Sequence, residues 1–189
     1  MRWQQLFADL EAQFDEAAAA SERADESSRA RAEMGAVRLA DRLRGALGHP
    51  VTLRCRGAGQ LSGTLADVGA DWLLLEEDGG REALVASAAV LAAGGLGRQT
   101  APSEEAGPVR GRLDLRRAIR ALARDRAAVQ VLLEDGGSLS GTVDRVGADH
   151  LELAEHGADQ PRRAEAVQGV RAVALDGIAV VRTLLPPSV

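Results

Sequence analysis

The stretch LSGTLADVGADWLLL, residues 61–75, returns further along the chain as LSGTVDRVGADHLEL, residues 139–153. At a constant offset of 78, ten of the fifteen positions are identical, Gly63/Gly141, Val68/Val146, Gly69/Gly147 and Asp71/Asp149 among them. A repeat sets what counts as a structural unit before any fold is considered, so the chain reads as a duplication. Within each copy, apolar residues recur two apart at Leu61, Gly63 and Leu65 and again at Leu73 and Leu75. Between them the Val-Gly-Ala-Asp step supplies the residues that tight turns favour, which predicts a β-hairpin. Gly63 and Gly141 sit inside the first strand of that hairpin, where glycine weakens pairing unless the strand must bend or admit another backbone. Sharp bending is what a very small barrel requires.

Working outward, residues 51–56, 60–68, 71–77, 82–86 and 90–93 predict five short strands with tight connections, a strongly curved sheet closed on itself without exposed edges. Val51 and Leu53 match Val129 and Val131 at the same offset of 78, so the second copy follows the same plan. Beyond Leu153 the best match of REALVASAAVL is RAVALDGIAVV at an offset of 90, which implies twelve extra residues between the third and fourth strands of the second copy. An insertion confined to one loop costs little loop entropy.

Two helical segments precede the repeats. In residues 2–46, Trp3, Leu6, Phe7, Leu10 and Phe14 fall on one face of a helix and hold three of the four aromatic residues of the protein. That stripe either covers the sheet of its own chain or pairs with another copy or a partner protein, as narrow apolar seams on charged helices do. The polar run at residues 21–28 either breaks the helix or spans solvent, and Gly48-His49-Pro50 is a strong stop. Residues 97–109, rich in Gly, Pro and small polar side chains, read as a linker. The organisation expected is a helical extension over 1–36, a first unit over 37–96, the linker over 97–109 and a second unit over 110–185.

The helix predicted at 110–126 carries seven arginines, Arg110, Arg112, Arg116, Arg117, Arg120, Arg124 and Arg126, against Asp114 and Asp125. Of these, Arg112, Arg116, Arg117, Arg120 and Arg124 are the candidates for contact with a nucleic-acid backbone, whose affinity would fall as salt rises. Its plainer reading is a solvated helix face, with Asp114 capping the first turn. No aromatic residue interleaves with these arginines, so base stacking is poorly supplied. The whole chain carries a net charge of -5, which does not resemble the basic excess of a general nucleic-acid binder. Lys, Asn and Tyr are absent from the sequence and every basic residue other than His is Arg, a composition that suits GC-rich bacterial coding.

Other candidates weigh less. Trp72 and His150 occupy equivalent positions after the repeated Asp, as base-stacking groups or as ordinary strand residues. His150 and His156, with Glu152 and Glu155 nearby, lack the spacing of a metal site. Cys55 stands alone between two arginines, so it forms no intramolecular disulfide; it is either an activated thiol or a small core residue. No phosphate-binding loop, nucleophile elbow or dinucleotide fingerprint is present. These features predict no catalytic residue, no metal and no cofactor. No apolar run approaches the roughly 18 residues of a membrane span, and no signal peptide is evident, which predicts a cytoplasmic protein without membrane contact.

A helix followed by LEDGGSLSGTVDRVGADHLEL and closed by strands such as ALVASAAVLA resembles the Sm-like family of small β-barrels, over residues 37–96 and 110–184. The resemblance implies a mainly β fold with helices (α+β): two tandem five-stranded barrels, each led by a helix, behind a long N-terminal helix. It also implies RNA contact through loop residues, but Ala70-Asp71, Ala148-Asp149 and the last turns do not match the family's contact residues, so none is carried over. The function expected is a non-catalytic binding or scaffold protein that contacts protein through its barrel surfaces and N-terminal helix. The alternative is RNA binding or transcriptional regulation through the arginine helix.

Overall fold

The structure is a computed structural model and describes residues 2–101, 113–157 and 167–184. It falls into two compact units, Met1–Arg38 and Leu39–Val189. The first contains helix α1 (Arg2–Ala36), which runs unbroken through the polar stretch at 21–28. Local side-chain bonds support that stretch: Arg23 Nε donates to the Ala19 carbonyl at 2.9 Å and Arg31 Nη2 to Ser27 Oγ at 2.9 Å. A short helix, α2 (Leu39–Arg44), opens the second unit.

Ten strands follow in two sets of five. The first repeat supplies β1 (Pro50–Cys55), β2 (Gly59–Val68), β3 (Trp72–Glu77), β4 (Arg81–Ala86) and β5 (Val90–Gly94). Helix α3 (Leu115–Asp125) then leads into β6 (Ala128–Leu133), β7 (Ser138–Val146), β8 (His150–Glu155), β9 (Gly169–Ala174) and β10 (Ile178–Thr183). The strands of the first repeat lie within one residue of their expected limits, because alternation and turn glycines are local signals. The fold is mainly antiparallel β with a few helices.

Both repeats bend at the same place. Early residues of β2 pair with β1, Thr64 pairs with Pro50 on one side and Glu76 on the other, and the ladder then continues along β3. A bulge follows between Leu65 and Asp67, and its counterpart lies between Val143 and Arg145 in β7. Such bulges raise local twist and let one strand serve two neighbours. Glycine at the bend is a steric necessity: a side-chain carbon at Gly63 would collide with the Glu76 carbonyl, and at Gly141 with the Ala154 carbonyl.

The expectation that each sheet closes on itself is not met. All ten strands form one open sheet in the order β5-β1-β2-β3-β4-β10-β6-β7-β8-β9. Instead of turning back on β5, β4 pairs with β10 of the other repeat, Val85 opposite Val180, Leu84 opposite Val181 and Ala83 opposite Arg182. Among the described residues, β5 and β9 therefore stand at the two edges of the sheet. One apolar core crosses the joint and includes Leu53, Leu65, Leu75 and Val85 from the first repeat with Val131, Val143, Leu153 and Val180 from the second. Aliphatic side chains make up most of it, with Trp72 and Cys55 beside them.

The late register differs from the sequence match. Trp72 opposes Ala86 and His150 opposes Ala174, so β4 and β9 correspond at an offset of 88, and the insertion is ten residues, not twelve. Arg171, matched by sequence to Arg81, in fact occupies the place of Ala83. Both offsets are even, so either keeps the same side chains on the buried face, and sequence matching alone does not distinguish them. The start of the expected linker is also held: Arg42 Nη2 donates to the Gly97 carbonyl at 2.5 Å and the Ala101 amide to the Asp41 carbonyl at 3.0 Å.

Candidate functional site

Three surfaces of the second unit merit a functional reading: the joint between repeats with the groove beside it, the arginine face of α3, and the two sheet edges.

At the joint, α3 of the second repeat is pinned by the turn of the first. The Leu115 amide, at the start of α3, donates to Asp71 Oδ1 at 2.7 Å, and Trp72 Nε1 donates to the Leu113 carbonyl at 2.7 Å. An anionic acceptor at a helix N-terminus satisfies an orphan amide and complements the helix dipole. Further along, Arg182 Nη2 donates to Glu77 Oε1 at 2.8 Å, and Arg56 Nη1 to Glu134 Oε1 at 2.7 Å. Beside the pinned helix lies an open apolar groove of about 310 Å³, lined by Trp72, Leu74, Leu84, Leu113, Leu122 and Val181 among others. On the other side of the joint a cleft of about 370 Å³ gathers Asp71, Asp114, Arg116, Glu134 and Asp176.

Trp72 is buried and hydrogen-bonded, which leaves it no free face for a base. Its counterpart His150 is half-buried, and its Nδ1 lies 2.9 Å from Asp149 Oδ1. That hydrogen bond holds the exposed Asp149 carboxyl below its ordinary pKa. His156 lies apart, buried, with Nε2 2.9 Å from Thr142 Oγ1 and Nδ1 2.9 Å from the Gly157 carbonyl. Among the described residues no three His, Cys, Asp or Glu side chains are grouped to hold a metal. Cys55 is buried in the core, and burial pushes its thiol up to about 11. The flanking arginines point elsewhere: Arg54 is exposed on the opposite face of β1, and Arg56, just past its end, is engaged by Glu134.

Helix α3 is capped as its sequence suggests, with Asp114 Oδ1 accepting from the Arg117 amide at 2.8 Å. Leu115 and Ile119 bury its apolar face. Since successive helical residues turn by about 100°, Arg116, Arg120, Arg124 and Arg117 fall within an arc of about 100°. Arg117, Arg120 and Arg124 are exposed and Arg116 is half-buried. Arg120 Nη2 also reaches the Val146 carbonyl at 3.3 Å, tying the stripe to the end of β7. Arg110 and Arg112 lie outside the described residues.

Of the aromatic stripe on α1, Phe7 and Phe14 are exposed, seven residues apart on one helix face. Trp3, Leu6 and Leu10 belong to the same helix, but their side chains lie outside the described set.

The sheet edges were not legible in the sequence, which predicts closure. Leu91 on β5 is 58% exposed and Val170 on β9 is 62% exposed. Among the described residues, neither strand has a pairing partner on its outer side. No helix among the described residues is long and apolar enough to cross a membrane. Compared with protein-family models, curated proteins and solved structures, the chain matches none.

Proposed function

We propose that this chain is a non-catalytic binding or scaffold protein of the cytoplasm, built from two Sm-like five-stranded units joined edge to edge in one open sheet, which engages protein partners through its outer strands and its N-terminal helix. The observation that carries this reading is the pair of unprotected edges. An unpaired strand offers a row of amides and carbonyls to an incoming strand, and apolar side chains such as Leu91 and Val170 add affinity. The helix leading each repeat, the recurrent bend at Gly63 and Gly141 and the short 3-10 turns at Ser87–Ala89 and Leu175–Gly177 support the Sm-like assignment.

Photo-cross-linking in cells tests it, with the reactive group placed at position 91, 170 or 124 of the full chain. Protein adducts from positions 91 and 170, in excess of those from 124, are the expected result. Equal and weak trapping at all three would defeat the reading.

The arginine stripe favours a second reading, nucleic-acid binding through α3. Its test is retention on immobilised RNA or DNA as a function of salt. Substituting Arg116, Arg117 and Arg120 with Ala should flatten the log-log salt slope by roughly 2–3, since each phosphate contact contributes slightly less than one. Indifference of the unmodified chain to nucleic acid at low salt eliminates this alternative.

A further inference from the structure

We propose that residues 185–189, Leu-Pro-Pro-Ser-Val, fill the apolar groove beside α3, as residues 97–101 of the first repeat cover the matching face of α2.

The duplication supplies the comparison. Helices α2 and α3 begin at Leu39 and Leu115, an offset of 76, each buries the residue four positions further on, Leu43 or Ile119, and each packs on the second strand of its own repeat. In the first repeat the chain leaving β5 turns back over α2. Arg42 Nη2 donates to the Gly97 carbonyl and the Ala101 amide to the Asp41 carbonyl, and a side-chain carbon at Gly45 would come within 2.6 Å of the Gln99 carbonyl oxygen. At the offset of 76, Asp41, Arg42 and Gly45 become Arg117, Ala118 and Ala121, and all three line the groove. At the offset of 88, which relates β5 to β10, residues 97–101 become 185–189. The helix face that is covered in the first repeat is thus a wall of the groove in the second, and its counterpart segment follows directly on Leu184.

The differences between the repeats match on both sides of the contact. Arg42 and Gly97, joined by a hydrogen bond, are replaced by Ala118 and Leu185, an apolar pair. Ala121 carries the methyl for which Gly45 has no room, so an incoming backbone stands further from the helix, and Pro187 in place of Gln99 brings a ring to fill the gap. The facing walls, Leu74, Leu84 and Val181, are apolar as well. Proline has no amide N–H, so Pro186 and Pro187 bring no donor that would lose its water there. Their fixed φ also keeps the segment extended before it docks, which lowers the entropy lost. Val189 retains the amide that its counterpart Ala101 donates to the helix.

Reach is sufficient. Thr183 already lines the groove, and the Leu184 amide is held by the Ala128 carbonyl at 2.9 Å. Residues 185–189 can span about 17 Å when extended, and the helical wall from Arg117 to Asp125 is about 12 Å long. With the groove filled, a protein partner reaches this face only by displacing the segment.

Disulfide trapping in the full chain tests this. Ala121→Cys with Pro187→Cys puts thiols at the counterparts of Gly45 and Gln99. Arg120→Cys with Pro187→Cys is the control, since position 120 lies about 100° away around α3. Cys55 is buried and leaves both pairs alone. The 121–187 bond should close within one chain about ten-fold faster than the 120–187 bond, or more, because docking raises the effective concentration of the thiol. Equal rates overturn the proposal. So does a 121–187 bond between two chains, which would put the segment of a second copy in the groove. Should Ala121→Cys prevent folding, Pro187→Asp, which alters only the segment, decides instead: its urea midpoint should fall below that of the unmodified chain, because a carboxylate is poorly solvated in an apolar groove. An unchanged midpoint overturns the proposal.

Discussion

Arg182 on β10 reaches across the joint to Glu77 on β3, with Nη2 donating to Oε1 at 2.8 Å and Nε 2.7 Å from Oε2 but off the hydrogen-bonding line. The Glu77 side chain is 7% exposed and that of Arg182 is 19% exposed, so neither can turn to water if the other is lost. Arg182→Met should cost about 3 kcal/mol, the low end of the range for breaking a buried pair. The double variant Glu77→Met/Arg182→Met should recover most of that loss, since no charge is then stranded. Urea unfolding of the two variants and the unmodified chain decides it, and equal losses in the single and the double variant would show that Glu77 is not stranded when Arg182 is lost.

Gly63 and Gly141 should respond alike to alanine. In both, the added methyl meets a main-chain carbonyl, Glu76 or Ala154, which cannot move without displacing its strand. Each substitution should cost about 1–3 kcal/mol, the usual range for forced overpacking. By contrast Gly35 and Gly169 have nothing within reach of an added methyl, and alanine there should leave the urea midpoint close to that of the unmodified chain.

The repeat, the hairpins and the α3 cap were legible in the sequence because each is encoded within a few residues: alternation, a Gly-Ala-Asp turn, an Asp ahead of a helix. Alternation tells which face of a strand is buried and is silent about which strand lies alongside. The pairing of Val85 with Val180 therefore could not be read, and with it went the expected closure of each repeat. Arg81 and Arg171 misled for a related reason. Identity aligned them, whereas the ladder places Arg171 at Ala83's position, where it serves Glu155. The arginine stripe on α3 was visible from helical spacing. The tie from Trp72 to Leu113, 41 residues on, was not.

Duplicated residues need not carry duplicated weight, and Asp71 and Asp149 should differ. Asp71 accepts from the Leu115 amide at the start of α3, whereas Asp149, 90% exposed, is engaged by His150. Asp71→Ala should cost about 1–2 kcal/mol, as expected for an ionised acceptor at a helix start. Asp149→Ala should stay within about 0.5 kcal/mol of zero, as for a surface change. Thermal or urea unfolding of the two single variants is sufficient, and equal effects would mean that the bond to α3 is not a structural tie.

The end of the same helix predicts a gain. Arg126 closes α3 at φ 49°, ψ 32°, a left-handed conformation that glycine adopts without strain. Arg126→Gly should raise stability by about 1 kcal/mol, the lower bound of the left-handed penalty for a residue with a side chain. A loss of stability would mean that the arginine side chain contributes more than the strain it imposes.

Alkaline titration isolates Cys55. The sequence contains no Lys and no Tyr, and Arg holds its proton well above this range, so Cys55 is the one side chain expected to titrate between pH 9 and 11. Burial raises the folded thiol from its ordinary 9.0 to about 11. Below pH 9 both folded and unfolded chains keep the proton, and the thiol leaves stability independent of pH. Above it the unfolded chain releases the proton while the folded one retains it, so the unfolded state binds fewer protons and stability falls with rising pH. The slope can approach 1.4 kcal/mol per pH unit, the value for one proton, and flattens beyond about 11. Cys55→Ala removes the slope while lowering stability at every pH through the cavity it leaves. Urea midpoints of the two proteins at pH 8 and pH 10.5 should therefore converge as pH rises. Parallel declines would show that the thiol ionises as easily in the fold as outside it, and that β1 does not shield it.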